Sequence, residues 1–557
     1  MSPLCSGETA GHLWPAFAEE QIMAYQAPNG ADVAEPHREF LEHDKPHEAP
    51  HGEGRDIRRA PTDLSFKLEL AYATHRICRV TEDGVCKAWD EVKLRSYNGK
   101  LGGPLIEAIP GDTLNIALMN RLPPEPDEHS PHVMHDHPMT EPHGFNTSNL
   151  HFHGLHVSPA GNADNVMLEI SPGRHFHYEV KIPKDHPAGT YWYHAHKHGS
   201  AALHIGSGMA GPLIIRGDID RVPAIRAARE QIILFQQIPY KLVDDPTMPG
   251  HQANMVESYD LFGPTVWPTL GRRFTLNGVV EPTYEMFPGE VQRWRFIHAG
   301  LREGLKLRWV RRVGDQEIAL PQFQIAHDGI TTGRIDTVTE TELFPAYRVD
   351  VMVRATEPDG RPLKPGTYFL VDNSVTGPAH TLARIVVKGP PRRMFLPRPQ
   401  ELAPLAPFKT IEDDDITGHQ EAVFSIDTSV TPPRFLINGK PFDPHHARIL
   451  SLGAVEEWTV SSLNFNHPFH IHVNPFQLKT DDGKILWKDT LLVPAGKTFK
   501  LRTRYERYIG QFMMHCHIVE HGDLGMAELI EVVPDGGEHE HGGAHGGGGS
   551  DHPEPHH

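Results

Sequence analysis

The chemistry of this 557-residue chain is concentrated near its end, where a cysteine lies between two histidines. His515, Cys516 and His517 are followed by His521 and Met526. In a blue-copper site, a thiolate and two imidazoles bind copper in a plane and a thioether binds weakly on the axis. Because Cys516, His521 and Met526 supply three of these four ligands, the segment predicts a copper site that exchanges single electrons.

The two histidines that flank the cysteine cannot join the same site if the segment is a strand. Successive side chains on a strand point to opposite faces, so His515 and His517 would face away from Cys516. They would then face a second metal centre. One tripeptide would connect two metal centres, which favours electron transfer over metal storage.

Three other clusters of histidines could supply the remaining ligands. On a strand, both imidazoles of a His-x-His pair point to the same face. Four such pairs provide eight imidazoles, enough for three copper ions with two or three ligands each. His467 is left over, and the blue-copper site needs one more histidine. The chain has 40 histidines, but chance does not account for four pairs of which one brackets a cysteine. The pairs are His151 with His153, His194 with His196, His470 with His472, and His515 with His517.

These four motifs resemble, in their order and spacing and in the closing Met526, those of the multicopper oxidases. This family includes laccases, ascorbate oxidase, bilirubin oxidase and the bacterial copper-efflux oxidases. The resemblance covers about residues 62–534. It implies a copper-dependent oxidoreductase that uses dioxygen as acceptor and holds four copper ions, one of type 1, one of type 2 and two of type 3.

The resemblance also implies which residues bind each copper ion. The type 1 ligands are His467, Cys516, His521 and Met526. The type 2 ligands are His151 and His470. One type 3 copper takes His153, His194 and His517, and the other takes His196, His472 and His515. All twelve positions hold the expected residue, which disfavours a copper-free, non-enzymatic relative on the same fold.

Reduction of dioxygen to water consumes protons, so carboxylates are expected near the copper cluster. Asp164, which follows His153 by eleven residues, matches an acid that relatives carry in this loop and is the predicted catalytic acid. Many bacterial relatives have Glu directly after the last type 1 histidine, where this chain has Gly522. Glu520, Asp523 or ordered water could substitute, although Asp523 is predicted more readily as a hydrogen-bonding turn residue.

The chain repeats one module three times, which predicts an all-β fold. Each copy has an Asn-Gly turn before a strand, and a late strand that begins at Gly189, Gly366 or Gly510. The resemblance implies three consecutive cupredoxin-like Greek-key β-sandwich domains. The predicted parts are an N-terminal extension (1–61), domain 1 with His pairs for the cluster (62–217), domain 2 without copper ligands (218–390), domain 3 with type 1 copper and cluster ligands (391–534), and a disordered His- and Gly-rich tail (535–557).

Composition narrows the possible partners and compartment. The 50 glycines and 50 prolines suit a turn-rich β protein, and the formal charge of −19 argues against binding to nucleic acid. We find no apolar run long enough for a membrane span and no signal peptide at the first residues. The resemblance implies a periplasmic or secreted protein. Cys78 and Cys86 flank a hairpin-like turn and could form a disulfide in an oxidising compartment.

The sequence indicates two possible classes of reductant. A laccase-like oxidation of phenols and other aromatic reductants is the leading prediction, and oxidation of Cu(I), Fe(II) or Mn(II) for metal tolerance is the alternative. A dense Met-rich segment would favour this alternative, but the 15 methionines of the chain do not form one. Nitrite reduction is disfavoured, because the usual chains for it have two domains. A loop over 123–146 could either line an aromatic pocket or bind Cu(I); it contains His129, His132, Met134, His135, His137, Met139 and His143.

Overall fold

A computed structural model describes residues 59–124, 138–263, 266–270, 273–314, 316–374 and 380–534. Nearly all of the predicted extension, the predicted tail, and most of the 123–146 loop, including His129, His132, Met134, His135 and His137, lie outside these residues. Within them, 33 strands form six sheets that pack as three two-layer sandwiches. The prediction of an all-β protein with three consecutive cupredoxin-like β-sandwich domains is confirmed.

The first sandwich begins the described chain. Alternating apolar residues such as Leu114, Ile116 and Leu118 are buried, while the residues between them are partly exposed, as expected for a strand with one face on a core. The strands are β1 (Asp63–Glu82), β2 (Val85–Tyr97), β3 (Ile106–Ala108), β4 (Thr113–Asn120), β5 (His151–His153), β6 (His175–Lys181), β7 (Gly189–His194) and β8 (Ala210–Ile215).

The second sandwich has an apolar core that includes the buried indoles of Trp294 and Trp309. Its segment of chain contains β9 (Arg229–Ile238), β10 (Lys241–Asp244), β11 (Gln252–Met255), β12 (Arg273–Leu276), β13 (Thr283–Met286), β14 (Val291–His298), β15 (Leu305–Val313), β16 (Gln316–Leu320), β17 (Gln322–His327), β18 (Ile330–Val338), β19 (Thr341–Leu343), β20 (Arg348–Arg354), β21 (Gly366–Asp372) and β22 (His380–Val387).

The third sandwich contains the sequence motif with the cysteine. Cys516 and Met526 belong to its apolar core, together with Trp458 and Phe469. Its strands are β23 (Gly418–Asp427), β24 (Arg434–Ile437), β25 (Ala447–Ser451), β26 (Val455–Ser462), β27 (His467–Ile471), β28 (Phe476–Lys479), β29 (Ile485–Lys488), β30 (Thr490–Val493), β31 (Thr498–Arg504), β32 (Gly510–Cys516) and β33 (Ala527–Val533).

The strand orders show how the sheets are paired. The first sandwich has sheets β10-β11-β2-β1-β4-β6 and β3-β8-β7-β5. The second has β12-β9-β14-β20-β17-β18 and β13-β22-β21-β15-β16, with β19 against β15. The third has β24-β23-β26-β31-β28-β29 and β25-β33-β32-β27-β30. The β10–β11 hairpin comes from the chain after residue 217 but extends a sheet of the first sandwich through β2.

Helices are few and short among the described residues. None of them has the length and apolar composition that a bilayer crossing requires. The α-helices are α1 (Ala201–Gly206), α2 (Pro223–Ala227), α3 (Pro399–Leu402) and α4 (Val519–Asp523), and the 3-10 helices are Ile219–Arg221, Tyr259–Phe262, Trp267–Thr269, Ala403–Leu405 and Asp413–Asp415.

The Asn-Gly turns confirm that the three sandwiches repeat one module. Asn98, Asn277 and Asn438 all have a positive φ, of 53°, 53° and 52°, a conformation that Asn and Gly tolerate better than other residues. In each copy the Asn side-chain oxygen accepts one backbone N–H and the amide donates to a carbonyl two residues earlier on the same neighbouring strand. The same turn therefore connects the same pair of strands three times.

The hairpin of β1 and β2 is closed by a disulfide between Cys78 and Cys86. The sequence had left this pairing open. At the tip of the hairpin, Asp83 lies 3.8 Å from the guanidinium of Arg384 on β22. The hairpin of the first sandwich thus reaches the second sandwich.

Candidate metal centre

A cysteine and two histidines converge inside the third sandwich. Antiparallel pairing of β27 with β32 places Phe469 opposite Cys516, and His467 begins β27. The Cys516 Sγ lies 3.5 Å from Nδ1 of His467 and 3.7 Å from Nδ1 of His521. All three side chains are buried and form a group that could hold a metal ion.

Met526 is tied to this group through the backbone. Its carbonyl accepts the N–H of Cys516 at 3.1 Å, and its own N–H donates to the carbonyl of His521 at 2.8 Å. The Met526 side chain is buried in the same core. Burial also raises the pKa of the Cys516 thiol, so a bound cation is needed to stabilise the thiolate.

The eight histidines of the four His-x-His pairs meet where the first and third sandwiches face each other. In the first sandwich, β5 and β7 pair with His151 opposite His194. In the third, β27 and β32 pair with His470 opposite His515, so the repeated module presents its histidines in the same way twice. Across the interface, the rings of His151 and His472 stack with centroids 3.9 Å apart, and so do those of His153 and His470.

The hydrogen bonds of these histidines leave nitrogens available for metal. The protein occupies one ring nitrogen in each of five histidines, which fixes the ring as neighbouring hydrogen bonds do at metal sites. On four of them the other nitrogen is buried and has no hydrogen-bond partner in the described chain, namely His151 Nε2, His153 Nδ1, His194 Nε2 and His470 Nε2. The occupied nitrogens are His151 Nδ1 on Asp164, His153 Nε2 on Asp489, and Nδ1 of His194, His470 and His515 on backbone carbonyls.

Three further nitrogens converge without any other group between them. Nε2 of His515 lies 3.1 Å from Nε2 of His196 and 3.2 Å from Nε2 of His472. Burial lowers the pKa of all three imidazoles, that of His515 to about 4, which favours the neutral, metal-binding form. Two imidazole nitrogens at this separation need either a shared proton or a metal ion between them. Three of them converge here and form a group that could hold a metal ion, so the residues present fit bound copper.

The geometry groups the histidines in several overlapping ways. His196, His472 and His515 form one group, as expected for one type 3 copper. His151 falls both with His470 and His472 and with His153 and His194. His517 lies with its ring centroid 5.1 Å from that of His153 and 5.6 Å from that of His194. The structure therefore brings all eight predicted cluster ligands together, while their division among copper ions stays a prediction.

Asp164 is placed directly against a cluster histidine. Its Oδ1 accepts from Nδ1 of His151 and from the backbone N–H of Phe152, both at 2.9 Å. Its Oδ2 is buried and has no hydrogen-bond partner among the described residues. Burial raises the pKa of this carboxyl to about 8, and positive charge at the cluster would lower it.

The two acids near Gly522 have other partners. Both oxygens of Asp523 accept backbone N–H groups at the start of α1, from Gly199 at 2.9 Å and from Ala202 at 2.8 Å, and Tyr259 donates its hydroxyl at 2.5 Å. Asp523 is therefore a hydrogen-bonding residue that holds α1 against α4. Glu520 is buried and lies 2.7 Å from the guanidinium of Arg302.

A cavity lies beside the histidines at the position of Gly522. Apolar side chains, among them Met513 and Val519, form part of its wall, and Asp523 lies at one side. A Cβ atom at Gly522 would meet only the Cys516 carbonyl, at 3.5 Å, and the His515 ring, at 3.8 Å, which are ordinary contacts. Five histidines line the cavity: the cluster residues His194, His196, His515 and His517, and also His198.

Two residues at the cluster were not predicted from the sequence. Asp489 lies 3.1 Å from Nε2 of His153, and Arg348 on β20 pairs with Asp489. The only sequence signal for Asp489 is an acid next to the apolar run of β30, and no spacing rule relates it to the His motifs. Arg348 belongs to the sandwich that has no predicted ligand.

Comparisons with known proteins agree with this geometry. Two family models, both described as multicopper oxidase, match residues 143–219 and 415–536. These two ranges contain all twelve predicted ligands. The laccase of Bacillus stratosphericus is 25% identical over 496 residues, covering 79% of this chain and 91% of the relative. The multicopper oxidase mco of Staphylococcus aureus is 24% identical over 454 residues, covering 78% and 83%.

Solved structures show the same fold. A laccase from Pediococcus acidilactici superimposes with a TM-score of 0.63 at 23% identity, covering 85% of this chain and 93% of that chain. A multicopper oxidase from Campylobacter jejuni, described as a metallo-oxidase, gives a TM-score of 0.60 at 23% identity, covering 85% and 92%.

Proposed function

The chain belongs to the multicopper oxidase family and is a copper-dependent oxidoreductase with dioxygen as acceptor, and from this premise we propose that it is a laccase-like oxidase of phenolic and other aromatic reductants. The proposal includes four copper ions, bound as one type 1, one type 2 and two type 3 by the twelve ligands named above. The three sandwiches then have separate tasks, because the ligands come only from the first and third.

The observation that carries the choice of reductant is the turn that covers His467. The backbone carbonyl of Asn464 accepts from Nε2 of His467 at 3.1 Å, so this turn lies on the outer edge of the imidazole. On either side of Asn464, Leu463 is 69% exposed and Phe465 is 42% exposed. Residues 462–466 contain no carboxylate or thioether that would bind a metal ion. An exposed apolar surface at this position suits an aromatic ring better than a cation.

His467 and His521 are both buried, at 0% and 4% exposure, so a reductant would reach the type 1 site across the Asn464 turn. When bound, copper accepts single electrons at the type 1 site and reduces dioxygen to water at the three-copper cluster. Cys516 connects the two sites covalently through its neighbours His515 and His517. The buried core around Cys516 keeps water away from the thiolate.

We assign proton supply at the cluster to Asp164. Its Oδ1 orients His151, while Oδ2 has no partner in the described chain and is the atom that would carry a proton. Asp523 is a weaker candidate, since its two oxygens already accept three strong donors from Gly199, Ala202 and Tyr259. Glu520 forms an ion pair with Arg302, so of these three acids Asp164 is the one that contacts a cluster histidine.

We propose a periplasmic or secreted location. The disulfide of Cys78 and Cys86 supports it, because such bonds form and persist mainly in oxidising compartments.

Oxidation of Cu(I), Fe(II) or Mn(II) is the competing reading. In the sequence, the 123–146 loop was the feature that most favoured this alternative. Of the His and Met residues named for this loop, the structure describes Met139 and His143. Met139 packs against an apolar cluster that includes Phe442 and Met513, and His143 bonds to the carbonyl of Glu141. These contacts favour a structural role for both side chains over capture of a cuprous ion.

Oxygen uptake with a substituted phenol and with Cu(I) tests the proposal. We expect faster turnover of the phenol. In the double variant Leu463→Ser/Phe465→Asn, loss of apolar contact should raise KM for the phenol about tenfold and leave Cu(I) oxidation unchanged. Leu242→Ser on β10, where the side chain is 61% exposed, is the matched control. Strong Cu(I) oxidation beside weak phenol turnover in the parent would favour the metallo-oxidase instead.

A further inference from the structure

A buried arginine of the second sandwich lies at the edge of the copper-ligand cluster. Arg348 begins β20 and has 0% exposure. Its Nη1 donates to Oδ1 of Asp489 at 2.8 Å, and its Nη2 donates to Oδ2 of the same carboxylate. This two-point contact fixes the position and the plane of the carboxylate.

Asp489 in turn contacts two of the predicted ligands. Its Oδ1 accepts from Nε2 of His153 at 3.1 Å, and its backbone carbonyl accepts from Nδ1 of His470 at 2.8 Å. A proton on Nε2 of His153 leaves the lone pair on Nδ1, and this Nδ1 is one of the buried nitrogens without a partner in the described chain. The orientation of the carboxylate thus determines which nitrogen of His153 is available for metal.

We propose that Arg348 is a positioning residue for the copper cluster, which holds the Asp489 carboxylate so that His153 binds copper through Nδ1. The proposal rests on the function proposed above, since it requires His153 to be a ligand. It gives the second sandwich, which has no predicted copper ligand, a direct part in assembling the cluster.

Hydrogen bonds hold the guanidinium of Arg348 in a single position. Every N–H of the guanidinium has an acceptor, because Nη1 and Nη2 bond to the carbonyls of Ala346 and Asp328 as well as to Asp489, and Nε bonds to the carbonyl of Thr190 at 3.3 Å. Thr190 lies on β7 of the first sandwich, so the arginine contacts all three sandwiches. A lysine has three donors at a single nitrogen and cannot reproduce this arrangement.

A glycine next to His153 supports the same reading independently. Gly154 has a φ of 85°, a conformation that glycine adopts without strain. A Cβ atom at this position would collide with the Arg348 guanidinium and the Asp489 carboxylate. The absence of a side chain therefore lets the ion pair lie against the backbone of the His-x-His motif.

The competing interpretation is that Arg348 only joins the sandwiches. Arg293 on β14 provides the matched control, because it is also buried and bonds to Asp350 at 3.1 Å and Asp220 at 2.8 Å. None of its described hydrogen bonds or ion pairs involves a cluster histidine or Asp489. A purely structural role predicts the same losses for Arg348 and Arg293 variants.

The test compares Arg348→Lys and Arg348→Met with Arg293→Met in the copper-loaded, full-length protein. The readouts are copper per chain under chelator competition, the blue absorption of the Cys516 site, the type 2 copper signal in electron paramagnetic resonance, and thermal unfolding. We expect both Arg348 variants to keep the blue absorption, to release cluster copper 10- to 100-fold more readily, and to show an altered type 2 signal. Arg293→Met should lose thermal stability while its copper signals stay parental.

Two results would overturn the proposal. The first is a parental type 2 signal and parental copper retention in Arg348→Met. The second is equal loss of blue and cluster copper in Arg348→Met and Arg293→Met. If Arg348→Met does not fold, Arg348→Lys, which keeps the charge and most of the volume, decides by the same readouts. A parental protein without cluster copper would instead contradict the proposed function, before any variant is made.

Discussion

Nδ1 of His151 lies 2.9 Å from Oδ1 of Asp164, and Nε2 on the opposite side of the same ring has no hydrogen-bond partner among the described residues. The carboxylate thereby orients the imidazole and selects Nε2 as the nitrogen for metal. Carboxylate–histidine pairs of this kind orient ligands at many metal sites. Here one such pair joins a predicted ligand to the predicted catalytic acid.

Asp164→Asn should slow the reduction of dioxygen more than the reduction of the type 1 copper. The amide can still accept from His151, but it cannot release a proton in the way that a carboxylic acid does. We expect a loss of about 10²-fold or more in oxygen reduction, followed by stopped-flow absorbance of the blue band and by oxygen uptake. Equal rates for both steps in the variant and the parent would remove Asp164 from the mechanism.

Asp523→Asn provides the control for this experiment. It should weaken the bonds to Gly199, Ala202 and Tyr259 and destabilise the fold by about 1–3 kcal/mol, because a charged acceptor is lost from a buried network. Thermal unfolding would detect the loss. The ratio of the two rate constants in stopped flow should match that of the parent, and a selective fall in oxygen reduction would reassign proton supply to Asp523.

Cys516→Ser should abolish the blue colour and leave cluster copper bound. Serine cannot provide the thiolate-to-copper absorption, whereas the eight histidines meet between the first and third sandwiches, where Cys516 is not a predicted ligand. The absorption spectrum and the copper content per chain check both parts. A blue band of full intensity in this variant would contradict the type 1 assignment.

Replacing both His151 and His470 with Ala should have the opposite effect. The blue band should remain, because Cys516 Sγ is next to His467 and His521 and not to these rings. Oxygen uptake should be abolished, since the predicted type 2 copper loses both ligands. Oxygen consumption at the parental rate would show that the type 2 assignment is wrong.

Gly522→Glu should place a carboxyl group in the cavity beside His515. The first side-chain atom fits without collision, and the cavity lies against four cluster histidines. An added acid should supply protons for oxygen reduction and extend this step to higher pH, as measured by oxygen uptake across a pH series. Gly522→Gln has the same size and no acidic proton, so an identical pH profile for the two variants would exclude proton supply from this position.

The double variant Cys78→Ser/Cys86→Ser should destabilise the β1–β2 hairpin and leave the copper sites unchanged. A disulfide that closes a loop of this length is worth about 2–3 kcal/mol through the entropy of the unfolded chain. Thermal unfolding measures this contribution. With a reductant present, the unfolding temperature of the parent should fall toward that of the variant. An unfolding temperature that neither reductant nor substitution changes would contradict this contribution.

The sequence by itself determined the fold class and the residues available for copper. Alternation of apolar and polar residues encodes strands such as β4, and the three Asn-Gly turns encode the repeated module, because both depend on neighbours in the chain. The His-x-His pairs and the Cys516 segment are also local patterns. Side chains two residues apart on a strand point to the same face. The spacing alone therefore predicted that the two imidazoles of each pair point in the same direction.

Only the tertiary structure decided what surrounds those ligands. Asp489 meets His153 across 336 positions of the chain, and Arg348 reaches Asp489 from a different sandwich. Asp523, beside the last type 1 histidine in sequence, proves to hold the start of α1. Contacts of this kind arise from how sheets pack and not from any period along the chain, so no spacing rule in one sequence can reveal them.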